Sequence, residues 1–239
     1  MEWLKDSKAC LDIAEIMLDE VEELIQESIQ HEDVIPYLKV KIKNFLENCR
    51  SPLDYAANFI FIAYCKSNYK GEALKRRGRV YFPIIPKRLG KSSFYKQINE
   101  DWKGLRETNP KIVPILEDCQ HFSTVPWLIN LTYLINENKH RNLTKQRKEE
   151  KGVHVHNMIL PGGNIFNNVQ SFGNGGHDIV INGVPFDSST AQSHPHVNNY
   201  NATFYVEFFF TDLNTSVIPT LKEIYVGTKR LINDLDKTI

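Results

Sequence analysis

The first half of the chain places its apolar residues with the period of an α-helix. Over residues 2–30 they recur at spacings of three, four and seven, which puts them on one stripe of a long amphipathic helix. The stripe consists of Leu4, Leu11, Ala14, Leu18, Val21, Ile25 and Ile29. The pattern predicts further helices over residues 37–48, 93–105, 109–118 and 126–148. We therefore expect residues 1–150 to form a helical bundle.

One interruption is predicted inside this helical half, at Ser51 and Pro52. Proline has no amide donor and clashes with the preceding turn, so the pattern predicts a kink or a restart of the helix. A restart has suitable capping residues, because Ser51 can cap it, Pro52 suits the first helical position and Asp54 completes a capping box.

After Gly152 the period changes from helical to two, which is typical of β-strands. Residues 153–160, 178–184 and 203–210 alternate clearly, and residues 165–172 do so more weakly. Glycine-rich turn signals separate these runs. Residues 215–237 return to helical periodicity. We therefore predict an α+β chain in which residues 151–239 form a small antiparallel sheet with a closing helix packed on one face.

The composition is that of a folded protein, with 239 residues of which 41% are hydrophobic and 24% charged. The net charge is zero, but it is segregated. Residues 1–35 carry 11 acidic and 2 basic side chains (−9), residues 36–151 carry 11 and 23 (+12), and residues 152–239 carry 7 and 4 (−3). The basic middle favours a phosphate-rich partner. The alternative is that the acidic first helix lies over the basic segment and neutralises it.

Membrane, export and redox signals are missing from the sequence. No apolar run reaches the roughly 18 residues of a membrane span, and the first residues lack the basic and apolar regions of a signal peptide. None of the four cysteines has metal-ligand spacing. We therefore expect reduced, structural thiols, a cytoplasmic location and no membrane partner.

The densest group of chemically active residues lies at residues 134–143. Asn136, Lys139 and His140 stand at i, i+3 and i+4, so they share one helical face, and Arg141 follows them. An imidazole can move protons near neutral pH, and Lys and Arg can hold a phosphate. The alternative is an ordinary basic helix end, stabilised by the helix dipole.

Four short motifs give this cluster a context. They are Cys-Arg-Ser-Pro-Leu-Asp-Tyr (49–55), Tyr-Phe-Pro-Ile (81–84), Cys-Gln-His-Phe (119–122) and the 134–143 stretch. Their order and spacing resemble the LRSxLDH, FPIF, LQPY and LxxLxNxDKHRLL pattern of a widespread bacterial group. The resemblance covers about residues 1–150. That group looks like part of the HEPN superfamily of helical domains, many of which are ribonucleases or RNA-binding proteins of toxin and phage-defence systems.

The resemblance implies a site and also a departure from it. HEPN ribonucleases use an Arg and a His at a dimer cleft, without metal, on the RNA 2′-hydroxyl and phosphate. Arg50 matches the Arg and Ser51 the polar residue after it, but Tyr55 stands at the His position. A phenol with an ordinary pKa near 10 is a poor base at neutral pH. Either His140 takes the acid–base role or this copy does not cut RNA. The structural alternative for Arg50 is an i, i+4 ion pair with Asp54.

The sequence thus predicts an RNA-directed protein of a bacterial defence or stress system, either a metal-independent ribonuclease or a non-cutting relative that binds RNA. The predicted catalytic residues are His140, Arg50 and Asn136, and Lys139 and Arg141 are predicted to bind phosphate. No metal and no cofactor are expected. The expected partners are RNA, a second copy of the chain through the family's dimer, and a protein at the β-rich half.

Two rival functions remain. The first is a non-catalytic module that binds a protein or senses a ligand, which the tyrosine at position 55 favours. The second is a small-molecule or metal-binding β domain built on His154, His156, His194 and His196. His154 and His156 alternate on a predicted strand, so we expect them to face the same side.

Overall fold

The fold was analysed in a computed structural model. It describes residues 1–28, 31–71, 80–123, 126–140, 143, 145–160, 165–172, 180–181, 184–185, 197 and 199–239. Helices precede and follow a small antiparallel sheet, which confirms the α+β class. The chain divides into two compact units. The helical unit contains Met1–Ile25, Asp33–Lys145 and Ile218–Ile239, and the sheet unit contains Gln26–Glu32 and Gln146–Val217.

Seven α-helices lie in the described residues. They are α1 (Glu2–Glu27), α2 (Ile35–Ile60), α3 (Lys91–Asp101), α4 (Leu105–Thr108), α5 (Ile112–Asp118), α6 (Trp127–His140) and α7 (Val217–Asp236). A 3₁₀ turn at Glu32–Val34 precedes α2, and a π-helical turn (Phe61–Cys65) and a 3₁₀ turn (Lys66–Asn68) follow it. The helices near residues 93–105 and 109–118 are therefore confirmed, with the first one divided into α3 and α4.

The core of the helical unit follows the apolar stripes. On α1 the buried residues include Leu11, Ala14, Leu18, Val21 and Ile25, as the stripe predicts, whereas Ile29 lies outside the described residues. Helix α2 packs against α6. Helix α7 approaches α6 closely at Gly227, where an added Cβ would come within 2.4 Å of the Trp127 ring. A residue without a side chain is needed there because the buried Trp127 ring fills the space.

The predicted restart of the helix at Ser51 is wrong, because α2 continues through Pro52 as one helix. The Ser51 hydroxyl does not cap a new helix but donates to the Glu47 carbonyl at 2.9 Å. Pro52 and Leu53 are both buried in the core. Packing of this face outweighs the single backbone hydrogen bond that proline removes, because most helix stability in proteins comes from tertiary contacts.

The predicted end of the last helix before the sheet is also wrong. Helix α6 ends at His140 rather than near residue 148, and strand β1 already begins at Gln146. Gln146 pairs with Phe210 across the sheet, and the ladder continues from there. The charged run up to residue 151 offers no apolar stripe to a helix, so the pairing of strands decides its conformation.

The sheet unit contains β1 (Gln146–Ile159), β2 (Ile165–Phe172), β5 (Asn199–Phe210) and β6 (Thr215–Ser216), all antiparallel in the order β2-β1-β5-β6. The strands β3 (Val180–Ile181) and β4 (Val184–Pro185) form a separate two-stranded ladder. The prediction that residues 178–184 join the main sheet is therefore wrong for the part of that segment the structure describes. Val155, at the centre of β1, faces Val169 on one side and Ala202 on the other.

Helix α7 has its side-chain partners in the helical unit. Lys229 and Lys222 pair with Glu15 and Glu22 of α1 at 3.6 and 2.6 Å, and Lys8 pairs with Asp236 at 3.2 Å. The sequence groups this helix with the sheet, whereas the structure groups it with the other helices. An amphipathic stripe shows that a helix has a buried face but not which partner covers it.

Candidate functional site

Arg50, the arginine of the first motif, is held by its own helix. Its Nε and Nη2 donate to the two carboxylate oxygens of Asp54 at 3.1 and 2.9 Å. The unbroken α2 makes this bidentate pair, because residues four apart lie one above the other on a helix. The Arg50 side chain is only 15% exposed and that of Asp54 is 37% exposed. The structural alternative for Arg50 is therefore present in the molecule.

Tyr55, which stands where the family pattern has its histidine, points away from the core and is 40% exposed. It forms a hydrogen bond with the thiol of Cys10 on α1. Burial raises the pKa of Cys10, and the bond to Tyr55 opposes this rise only in part. Because its pKa is raised, the Cys10 thiol stays protonated at neutral pH, and its hydrogen bond with Tyr55 joins α1 to α2.

The other three cysteines are buried, and all four are free. Burial raises the pKa of Cys119 to about 12 and also raises that of Cys49. A thiol reacts through its thiolate, so these two groups are inert at neutral pH. They serve as small core residues of α2 and of the turn after α5.

The cluster at residues 134–143 lies at the end of α6. The helix extends through His140, so Asn136, Lys139 and His140 share a helical face as their spacing predicts. Asn136 is exposed. The side chains of Lys139 and His140, and the whole of Arg141, lie outside the described residues. Whether these groups meet Arg50 in one site therefore stays a prediction.

A buried glutamine joins the second and third motifs. Gln120 is 1% exposed; its Oε1 accepts from the Ile85 amide at 3.0 Å, and its Nε2 donates to the Pro83 carbonyl at 2.9 Å. One side chain thus satisfies a donor and an acceptor of an extended segment that has no strand partner. We call residues 81–89 the clamped segment. Its buried residues, Phe82, Pro83 and Ile85, anchor it on the core.

The clamped segment ends in a tight turn. The Leu89 amide donates to the Pro86 carbonyl at 2.8 Å, so Lys87 and Arg88 occupy the two central positions of the turn, and both are exposed. Nε2 of His121 donates to the Leu89 carbonyl at 3.0 Å, since a carbonyl can only accept. His121 therefore fixes the backbone of the turn, and Gln120 fixes the backbone at Pro83 and Ile85.

Sequence reasoning missed a charged cluster beside this turn. Lys91 lies 2.5 Å from one carboxylate oxygen of Glu117, and the Tyr95 hydroxyl donates to the other. The Arg106 guanidinium lies 4.7 Å from the centre of the Tyr95 ring. These residues come from α3, α4 and α5, so no single spacing shows them. The only sequence signal is that Glu117 lies on the otherwise apolar face of α5.

The cluster shifts the acidity of Glu117. Burial pushes the pKa of this carboxyl upward, but the hydrogen bonds from Lys91 and Tyr95 outweigh it and hold the pKa below its ordinary value of 4.5. The same contact with Glu117 raises the pKa of Tyr95. Glu117 is therefore an anion at neutral pH, and its charge is fully engaged within the protein.

The histidines of the sheet unit are partly described. The rings of His154 and His156 lie 4.3 Å apart, centre to centre, which confirms that they face the same side of β1. His177, His194 and His196 lie outside the described residues. Within the described part of the chain, no three His, Cys, Asp or Glu side chains form a group that could hold a metal ion.

Comparisons with known proteins identify no family for this chain, so it is classified by its α+β fold alone. No protein-family model, no curated protein and no solved structure matches it. Among the described helices, none has the length and apolar character that crossing a membrane requires. Any assignment of function therefore depends on the charges and contacts described above.

Proposed function

We propose that this chain is an RNA-directed protein whose helical unit, HEPN-like in its motifs, binds RNA through the cations of its basic middle. We place it in a bacterial defence or stress system, as the resemblance implies. One observation carries the proposal: among the described residues, a single carboxylate of α1 forms an ion pair with the basic middle.

The carboxylates of α1 are engaged mainly by α7. Glu15 and Glu22 pair with lysines of α7, and among the described residues only Glu20 pairs with the basic middle, at 2.7 Å from Lys41. Charge patterning left two alternatives, a phosphate-rich partner or internal neutralisation. In the described part of the chain the Glu20–Lys41 pair is the one ion pair between α1 and the basic middle, which supports a phosphate-rich partner for the other cations there.

Two lysines of α2 carry the proposal to particular residues. Lys39 and Lys43 precede Arg50 by eleven and seven residues on one continuous helix, so the three share a face. Both lysines are half-buried, and neither forms an ion pair with any residue that the structure describes. Lysine side chains on one helical face can follow a phosphate backbone as point charges. We call these two residues the α2 lysines.

Binding without cleavage is the form of the proposal that the geometry supports best. The Arg50 guanidinium already donates to the Asp54 carboxylate, and the Tyr55 hydroxyl is hydrogen-bonded with the Cys10 thiol. A catalytic arginine must be available to the phosphate, and a catalytic base must titrate near neutral pH. The remaining candidate for proton transfer is His140 at the end of α6.

The first experiment measures binding of a mixed-sequence RNA to the whole chain at low salt, by fluorescence anisotropy. We expect binding that weakens steeply as salt is added, because phosphate contacts release counterions. Absence of binding at low salt would remove the nucleic-acid function and leave the interaction module.

The second experiment tests cleavage with EDTA present. If RNA is cut, His140→Ala should lower the rate by about 10²–10⁴-fold, the usual share of general acid–base catalysis. Tyr55→His would restore the family pattern and should raise any residual rate. RNA pools that stay intact with wild type and with Tyr55→His would identify a binding protein without nuclease activity.

One observation favours the interaction module as a second candidate. Large apolar side chains lie exposed on α1, on α2 and on the π-helical turn after it, with Ile16 56%, Tyr37 69% and Ile62 54% exposed. Large exposed apolar side chains of this kind are common where proteins associate. A partner protein that binds the chain with little salt dependence, while RNA does not bind, would favour this function.

A further inference from the structure

We propose that the clamped segment, residues 81–89, is a contact for single-stranded RNA, in which the Tyr81 ring stacks on an unpaired base and Lys87 and Arg88 hold phosphates of the same strand. The proposal rests on the RNA-directed function above and deepens it, because it names the strand state of the RNA and the residues that read it. Arg50 and the cluster at residues 134–143 take no part in it.

The first support is the exposure of Tyr81. It is 59% exposed, whereas its neighbour Phe82 is 3% and Ile85 is 2% exposed. The Tyr81 side chain is therefore exposed to solvent although the next residue along the chain lies in the core. No hydrogen bond or ring contact involves Tyr81 within the described ranges. Its ring is therefore available to a flat, apolar partner.

The second support is that the segment is rigid before any ligand arrives. The two hydrogen bonds of Gln120 fix the backbone at Pro83 and Ile85. The two prolines, Pro83 and Pro86, restrict the same stretch further. A contact surface that is already ordered loses little conformational entropy on binding. An exposed tyrosine on such a support is a platform rather than a loose side chain.

The third support is the pair of cations at the turn. Lys87 and Arg88 are exposed and form no ion pair with the residues described. Lys91, three residues further on, has its charge engaged by Glu117. Six residues of extended chain separate Tyr81 from Lys87, at most about 20 Å. The ring and the two cations can therefore contact one short stretch of a single strand.

This combination of groups selects unpaired RNA. Proteins that bind single strands without sequence preference combine a basic surface with aromatic side chains on which bases stack. In a duplex each base already has neighbours on both faces, so an isolated exposed ring gains nothing there. The cations attract both single-stranded and duplex RNA, whereas the Tyr81 ring favours the single strand.

The experiment measures affinity of the whole chain for a labelled single-stranded RNA of mixed sequence and for a matched duplex, at low salt. Tyr81→Ala should weaken single-strand binding by roughly 5- to 150-fold, the loss that corresponds to one stacked base. Duplex binding should change little. Tyr81→Phe, which keeps the ring, should bind as wild type does. Tyr37→Ala is the control, because Tyr37 is 69% exposed and lies on α2.

The cations give a second, independent readout. Lys87→Gln with Arg88→Gln should weaken both RNA forms and reduce the salt dependence by up to about two phosphate contacts. If the wild type binds RNA and Tyr81→Ala binds single-stranded RNA with the same affinity, this inference is overturned. The proposed function would remain in that case. Equal losses on both RNA forms in Tyr81→Ala would also overturn it. Failure of the wild type to bind any RNA would refute the proposed function itself, and this inference with it.

Discussion

The first motif of α2 and the clamped segment each contain a short sequence motif, but their side chains are held in different ways. Arg50 finds its partner four residues away on the same helix. Gln120 also donates to the Leu116 carbonyl four residues back, but its other two backbone partners lie 35 and 37 residues away, in a segment that forms no helix or strand. A local pair can occupy a side chain's charge without fixing any tertiary structure. A buried side-chain amide that bonds a distant segment fixes the backbone of that segment, and the outward side chains of the segment stay available for binding.

The comparison also separates what each region contributes to stability. The Arg50–Asp54 pair is partly exposed and close in sequence, so replacing it should cost little. The Gln120 contacts are buried, and each unmade hydrogen bond there would leave a backbone group without water or partner. Substitutions at Gln120 should therefore affect stability more than substitutions at Asp54.

The largest effect is expected for Gln120→Leu. The substitution leaves the buried Ile85 amide and Pro83 carbonyl without partners, and each costs about 1–3 kcal/mol. We expect the free energy of unfolding to fall by about 2–5 kcal/mol in urea denaturation. Gln97→Leu on α3 is the matched control and should stay within about ±0.5 kcal/mol. Equal stability of Gln120→Leu and the wild type would show that the clamp is not structural.

An intermediate effect is expected for Glu117. Its pKa is lowered in the folded protein, so its contribution to stability is present above the unfolded pKa and is lost as pH falls through the folded pKa. Glu117→Gln should cost about 1 kcal/mol at neutral pH, a typical value for such hydrogen bonds.

The pH profile distinguishes charge from packing at Glu117. The stability difference between wild type and Glu117→Gln should narrow as pH falls below the ordinary carboxyl value of 4.5. Denaturation curves at several pH values measure it. A difference that is constant from neutral to acid pH would mean that the Lys91 and Tyr95 contacts do not depend on the carboxylate charge.

The smallest effect on stability is expected for Asp54→Asn. An i, i+4 pair contributes about 0.3–0.5 kcal/mol, so unfolding should change by no more than that. Freeing the Arg50 guanidinium should strengthen RNA binding and raise its salt dependence by up to about one contact. Asp234→Asn, which removes the i, i+4 partner of Arg230 on α7, is the matched control. Weaker RNA binding in Asp54→Asn would contradict our account of Arg50.

Periodicity predicted the elements whose faces are buried along one helix or strand. The stripe of α1 and the alternation of β1 and β5 are examples. It failed where tertiary contacts decide, as in the continuity of α2 through Pro52 and in the packing of α7 among the helices. Both outcomes depend on which surface covers a given apolar face, and one sequence does not contain that information.

The same distinction between local and long-range contacts applies to the candidate site. The helical face shared by Asn136, Lys139 and His140 follows from spacing alone, and the structure carries the helix through it. The clamp at Gln120 and the cluster at Glu117 join separate elements, so no motif within one element could show their partners. The pairing of Glu15 and Glu22 with lysines of α7 likewise joins residues far apart in the sequence, so no motif could show it.

If the α2 lysines contact RNA, replacing them must change how strongly RNA binding depends on salt. Lys39→Gln with Lys43→Gln should weaken binding and lower the slope of log affinity against log salt by up to about two contacts. Lys5→Gln with Lys237→Gln changes the net charge equally and lies outside the basic middle, so its slope should match the wild type. Identical slopes for both double variants would contradict the account, because the lysines that α1 leaves unpaired would then not contact RNA.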